Sequence, residues 1–286
     1  MTDIAIVLNK KAKNAEQIKN YLDALKKDHI DHYCFQVEPK DLEAHIKDCM
    51  SQCSLLLIGG GDGTIRSAAQ WCANSAVTLG VLPLGTMNHF AKELDLPLTP
   101  HDLIAAIKES KRIKIDLAEV NGSIFINNSS IGFYPKLAKK RDYYSKYYPK
   151  WLSYIPSFLE TLQYHETFPI VIQSEDLNLA IRTSFFMISN NLYSYQFPAT
   201  IKRDNFNQKL LGIYYLKYGK ISVAKVFSHF FSKANHFEVM KSEVTIQVDV
   251  KNMDKVNISL DGDTMTMATP LIYRSLPNAL QILAAR

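Results

Sequence analysis

The sequence predicts a parallel α/β domain followed by an antiparallel β domain, and three observations carry that prediction. Up to about residue 112, short apolar runs alternate with stretches of helical periodicity. Two of those runs end in loops of small residues, Gly59-Gly60-Gly61-Asp62-Gly63-Thr64 and Pro83-Leu84-Gly85-Thr86-Met87-Asn88. Beyond about residue 112 the helical periodicity gives way to short strands separated by turn dipeptides.

Taken in order, Ile4 to Leu8 reads as a strand, apolar throughout as a buried parallel strand should be. It ends at Asn9. The first helix is predicted from near Asn14, with Ile18, Tyr21, Leu22 and Leu25 facing inward. Tyr33 to Val37 is a second strand, and Pro39 to Met50 a helix with proline in its first turn. Leu55 to Ile58 is a buried strand, and Thr64 to Cys72 a helix with Ile65, Ala68, Ala69 and Cys72 on one face. Val77 to Leu82 is another strand, and a helix follows from about Pro100 to Glu109. Ile113 to Val120 and Ile124 to Asn128 flank Asn121-Gly122, a hairpin signature. From Phe168 onward strands dominate, with hairpins near Asp176 to Asn178 and at Asp261-Gly262. The expected domains are therefore 1–112 and 113–286, with the last strand, near Leu280 to Leu283, a candidate to return to the first domain.

A chain of 286 residues accommodates one large or two medium domains. With 47% hydrophobic and 21% charged residues it has a globular composition. No basic region precedes an apolar stretch in the first residues, so no signal peptide is expected, and no apolar run is long enough for a transmembrane helix. Cys34, Cys49, Cys53 and Cys72 lack partner ligands at metal spacing and are read as reduced thiols of a cytoplasmic protein. A net charge of +5 permits attraction to anionic lipid or nucleotide without demanding it.

The chemistry concentrates between Ser54 and Asn88. A strand, a glycine loop and a helix N-terminus in succession make an anion site, because unpaired N–H groups and the helix dipole favour negative charge. Glycine lets several backbone donors converge there. Two such loops at the C-terminal ends of two parallel strands form a crevice for a phosphorylated ligand. The bland alternative is a tight turn. The spacing fits neither the P-loop nor the G-x-G-x-x-G fingerprint.

The pairing of Gly-Gly-Asp-Gly-Thr with Pro-Leu-Gly-Thr-Met-Asn resembles the diacylglycerol kinase catalytic-domain family, which includes bacterial lipid kinases and sphingosine kinases. The first loop alone is shared with NAD kinases. Further matches are His89 to Pro97, Asn127 to Pro135, Phe186 to Tyr193 and Ser259-Leu260-Asp261-Gly262-Asp263, so the resemblance runs along nearly the whole chain. It implies a Rossmann-like α/β domain followed by a β-sandwich domain, ATP and Mg²⁺ as cofactors, and a lipid alcohol such as diacylglycerol as acceptor. ATP is expected between the two domains. The sequence departs from the family at Lys10 to Lys13, where proline and glycine are usual, at Val37, at Ser189, and at Asp263, where glutamate is usual. Those departures motivate a second reading, a nucleotide-binding regulatory module without kinase activity. A third is NAD kinase.

The resemblance also assigns roles. Asn9, Gly59, Gly60, Gly61, Asp62, Gly63, Thr64, Gly85, Thr86 and Asn88 are the expected nucleotide-binding residues. Asp62 is the candidate Mg²⁺ ligand, since Mg²⁺ prefers carboxylate oxygen and keeps several waters; the alternative is a carboxylate that orders its own loop. Asp263 is the expected general base, although Asp-Gly is also a common hairpin turn. Asp116 matches an acidic position that contacts the acceptor's polar head, with a strand aspartate bonded to nearby backbone as the alternative. Some bacterial members hold a structural Mg²⁺ at an Asp-Gly-x-Leu turn, but the corresponding Gln208-Lys209-Leu210-Leu211 has no carboxylate, so that ion is expected to be absent or bound differently. Lys136 to Trp151 combines lysine and arginine with tyrosine and tryptophan, suited to a peripheral contact at the inner membrane face, with nucleic acid or a solvated loop as alternatives. No nucleic-acid partner is expected, and a homo-oligomer is left open.

Overall fold

The structure is a computed structural model that describes residues 4–132, 167–196, 200–203, 205–216 and 237–285. The chain divides into two compact units, residues 1–117 with 276–286, and residues 118–275. The first is α/β and the second antiparallel β.

In the first unit the chain alternates β1 (Ile4–Asn9), α1 (Ile18–Lys27), β2 (Tyr33–Val37), α2 (Leu42–Met50), β3 (Leu55–Gly60), α3 (Asp62–Cys72) and β4 (Thr78–Pro83). Two more helices follow, α4 (His89–Glu93) and α5 (Pro100–Glu109). The parallel strand order is β2-β1-β3-β4, completed by the C-terminal part of β18 (Leu271–Leu283), where Ile282 pairs with Leu79. Ile4, Ile6 and Leu8 of β1 pack with Leu55 and Leu57 of β3 against Ile18, Tyr21 and Leu25 of α1 and Leu103 of α5. The alternate residues Ala5, Val7, Leu56 and Ile58 are equally buried, which is why these strands are apolar without a break. Boundaries shift where local capping differs from periodicity. The turn at Ala15–Gln17 is 3₁₀ before α1 begins, and Pro39–Asp41 is 3₁₀ before α2. Helix α3 starts at Asp62, two residues before the helical face becomes visible in sequence.

Strand β5 (Arg112–Val120) carries the chain into the second unit, and β18 carries it back. There β6 (Ser123–Phe125), β7 (Asn128–Gly132), β8 (Phe168–Gln173), β9 (Asn178–Thr183) and β10 (Phe185–Asn190) follow. Next come β11 (Ser194–Gln196), β12 (Thr200–Lys202), β13 (Leu211–Leu216), β14 (Phe237–Ser242), β15 (Ile246–Val250), β16 (Lys255–Leu260) and β17 (Asp263–Ala268). One antiparallel sheet has the order β14-β13-β10-β7-β16-β17. Strands β9, β8, β15 and the start of β18 form the facing layer. Ile172, Val248 and Tyr273 from that layer share a core with Phe186, Ile188, Ile213 and Ile258 from the other, so the unit is a sandwich. The turn at Asn121-Gly122 has φ of 46° and 80°, and the one at Asp261-Gly262 has 49° and 95°. Both therefore use the left-handed conformations that a two-residue hairpin requires. The strand expected over Ile124 to Asn128 is instead two strands, broken at Ile126 and Asn127. The cause lies in the side chain of Asp261, described below.

Among the described residues no helix is long and apolar enough to cross a membrane. The basic and aromatic stretch from Lys136 to Trp151 lies outside the described residues.

Candidate functional site

Strands β3 and β4 are neighbours, with Gly59 opposite Leu82 and Gly60 opposite Pro83, so both small-residue loops leave the C-terminal end of one parallel sheet. The first is as short as a loop can be. Gly61 alone joins β3 to α3, and the amides of the first helical turn have no partner within the helix. Gly61 has φ −94° and ψ −178°, an extended conformation open to any residue. A Cβ there would lie 3.4 Å from the Gly85 Cα, an ordinary contact, so the close approach is set by other glycines. A Cβ on Gly85 would stand 2.4 Å from the Gly61 Cα, and one on Gly60 would stand 2.5 Å from the Thr64 Cβ. The two loops meet backbone to backbone, and no side chain fits on Gly85 without a shift.

Side chains of the expected nucleotide site hold these loops in place. The Asn88 Nδ2 donates to the Pro83 carbonyl at 2.8 Å, and its Oδ1 accepts from the Gly85 N–H at 2.9 Å, closing the second loop on itself. The Asp62 carboxylate accepts from the N–H groups of His89 at 3.3 Å and Phe90 at 3.2 Å, tying the start of α3 to the start of α4. Asn9 Nδ2 donates to Thr64 Oγ1 at 3.1 Å, joining the end of β1 to α3. Thr86 is exposed at the tip of the second loop. Sequence reasoning missed Asn14. Its N–H donates to the Leu84 carbonyl at 3.0 Å and its Nδ2 to the Gly85 carbonyl at 3.0 Å, so the loop after β1 is latched to the second glycine loop. The sequence marks Asn14 only as a helix start.

Among the described residues no cluster of three or more His, Cys, Asp or Glu can hold a metal. Mg²⁺ is commonly bound through one carboxylate and the phosphates of its nucleotide, and Asp62, whose carboxylate accepts from the His89 and Phe90 N–H groups, is the carboxylate at the loop. Behind α3, burial pushes the Cys72 thiol up to about 12 and the Cys49 thiol up to about 11, with the charge of Cys53 adding to both. Neither is a nucleophile at neutral pH. Asp116 is fully buried on β5, and its carboxylate accepts from the Asn278 N–H at 2.8 Å.

In the second unit, Asp261 and Gly262 form the turn between β16 and β17, and Asp263 stands exposed at its exit, opposite Leu260. The Asp261 carboxylate accepts from three consecutive backbone N–H groups: Ile126 at 2.8 Å, Asn127 at 2.7 Å and Asn128 at 3.0 Å. Its own N–H donates to the Asn128 carbonyl at 2.9 Å. This grip turns the chain between β6 and β7 and accounts for the break in the expected strand. On the carbonyl side of the same segment, the buried Arg203 donates to the Ile126 carbonyl at 2.6 Å and to Asn127 Oδ1 at 2.6 Å.

The turn at Gln208 to Leu211 does not fit a structural Mg²⁺. Gln208 Oε1 accepts from the Leu192 N–H at 2.7 Å, and the Gln208 N–H donates to Asn191 Oδ1 at 3.1 Å. The Asn191 N–H donates to the Leu210 carbonyl at 3.1 Å. Neutral amides thus take up the contacts that close this turn, and the Arg203 guanidinium bonds the neighbouring Asn190 carbonyl at 3.2 Å.

Residues 3–120, which include both glycine loops, match the family model of the diacylglycerol kinase catalytic domain. A protein of Pseudomonas aeruginosa named "Probable lipid kinase YegS-like" is 43% identical over 84 residues, covering 29% of this chain and 28% of that protein. A Klebsiella pneumoniae protein of the same name is 34% identical over 136 residues, covering 45% of each. The matches thus span less than half the length of these curated relatives. The fold match is wider. A diacylglycerol kinase crystal structure from Bacillus anthracis str. Sterne superposes with a TM-score of 0.71 at 19% identity, covering 99% of this chain and 97% of that one.

Proposed function

We propose that this chain is an ATP-dependent lipid kinase, transferring the γ-phosphoryl group of ATP to the hydroxyl of a lipid alcohol such as diacylglycerol. The observation that carries this reading is the backbone contact of the two glycine loops, where a Cβ on Gly85 would lie 2.4 Å from Gly61. Glycine backbone beside a helix N-terminus is suited to phosphate. Relatives named as lipid kinases support a lipid acceptor.

Phosphoryl transfer leaves the protein little covalent chemistry to do, so catalysis is positioning and charge stabilisation. In this account the amides of Gly61 to Gly63 and of Thr86 to Asn88 hold the phosphates, Gly59, Gly60 and Gly85 let the loops approach, Asn9 fixes Thr64 and Asn14 fixes the second loop. Asp62 is the residue that would hold Mg²⁺, which would supply charge neutralisation at the phosphates. Asp263, on the second unit, takes the proton of the lipid hydroxyl as its oxygen bonds the γ-phosphorus and the bond to the β-phosphate oxygen breaks, releasing ADP. Asp116 supports the acceptor end through the backbone of Asn278.

The test is incubation with γ-labelled ATP, Mg²⁺ and a panel containing diacylglycerol, a sphingoid base, phosphatidylglycerol and a polyprenol, with NAD in a parallel reaction. Label recovered in one phospholipid product is expected. Labelled NADP would establish NAD kinase instead, and ATP binding without any transfer would establish a nucleotide-binding module.

A further inference from the structure

The Asp261-Gly262-Asp263 turn holds two carboxylates with different surroundings. Asp263 is exposed, whereas Asp261 spends its carboxylate on the N–H groups of residues 126 to 128. We infer that Asp261 is a positioning residue for Asp263, fixing the turn that presents the base against a backbone segment clamped from its other side by Arg203. The inference rests on the reading of Asp263 as general base.

Residues 126 to 128 offer consecutive N–H donors to an anion, and the same segment offers the Ile126 carbonyl and Asn127 Oδ1 to a cation. Hydrogen bonds with one ionised partner are about twice as strong as neutral ones. With Asp261 on the donor side and Arg203 on the acceptor side, the segment is held from both directions. Asn190 adds to it, donating from Nδ2 to the Ile126 carbonyl at 3.0 Å and from its N–H to the Asn127 carbonyl at 3.0 Å. Asp261 has φ 49° and Gly262 φ 95°, a turn whose backbone leaves Asp263 two residues from the anchor with no intervening side chain. A base displaced by about 1 Å can lose on the order of 100-fold in rate, so a rigid support for Asp263 has a kinetic consequence.

The experiment is a double-mutant cycle on the full chain, following lipid phosphorylation by Asp261→Asn, Asp263→Asn and the double variant under single-turnover conditions. ATP affinity by calorimetry and thermal unfolding accompany each. A carboxamide can accept from two of the three N–H groups but turns a donor toward the third. Asp261→Asn is expected to lower the rate by up to about 100-fold when Asp263 is present and by less than about twofold in the Asp263→Asn background, because residues acting through one another are not additive. ATP affinity should not change. If Asp261→Asn costs the same factor in both backgrounds, Asp261 is structural and the inference is overturned. If Asp263→Asn itself transfers at the normal rate, the base assignment fails, and the inference with it; the two failures are distinct. Should Asp261→Asn not fold, Gly262→Ala enters the same cycle. Its Cβ would meet nothing within 4 Å, so only the φ of 95° is strained and the turn shifts without a clash. It should then slow transfer only while Asp263 is in place, and an equal loss in both backgrounds overturns the inference equally.

Discussion

A methyl group on Gly85 would stand 2.4 Å from the Gly61 Cα and 2.7 Å from the Asn88 Oδ1. Backbone on one side and a hydrogen-bonded amide on the other leave nothing flexible to yield. Gly85→Ala should therefore destabilise the first unit by about 1–3 kcal/mol, the usual cost of overpacking, read as a lower urea midpoint at unchanged slope. A wild-type midpoint would mean that the loops are not in contact in solution. At this scale the sequence is informative about residue type and poor about duty. Asp62 and Asn88 are visible in the motifs, yet the Asn88 side chain is bonded to backbone of its own loop and that of Asp62 to the first amides of α4. Asn14 and Asp261 reach partners 71 and more than 130 residues away, and no local pattern encodes such contacts.

Elements with a strong local signal are legible to the residue. Helix α5 runs from Pro100 to Glu109 as its periodicity predicts, with Thr99 accepting from the Asp102 N–H as N-cap and proline following it. Strand β2 and the turns at Asn121-Gly122 and Asp261-Gly262 are equally direct, since only a few residue types suit those backbone conformations. The break between β6 and β7 is not legible, because a carboxylate from β16–β17 causes it. The Gln208 turn belongs to the same scale. Its closure by amide hydrogen bonds predicts that EDTA leaves the unfolding temperature of the apo protein unchanged, while Gln208→Ala lowers stability by about 1–3 kcal/mol by stranding the Leu192 N–H. A fall in unfolding temperature on chelation, restored by Mg²⁺, would show that an ion closes this turn after all.

At the level of the whole molecule, the succession of apolar runs and helical faces specifies the α/β unit, and the alternation with turn dipeptides specifies the sandwich. Both classes of pattern are local, which is why the architecture is readable without a structure. The placement of the two loops against each other is the feature on which the functional account rests. It is tested most directly by calorimetric titration of ATP and Mg²⁺ into the wild-type chain and into Gly61→Val. The extended φ of −94° accepts valine, and a Cβ there would lie 3.4 Å from the Gly85 Cα, so the fold should survive while the branched side chain fills the space between the loops. The account predicts tight binding by the wild type and loss of most of that affinity in Gly61→Val at an unchanged unfolding temperature. Full ATP affinity in folded Gly61→Val would contradict it and move the nucleotide away from the glycine loops.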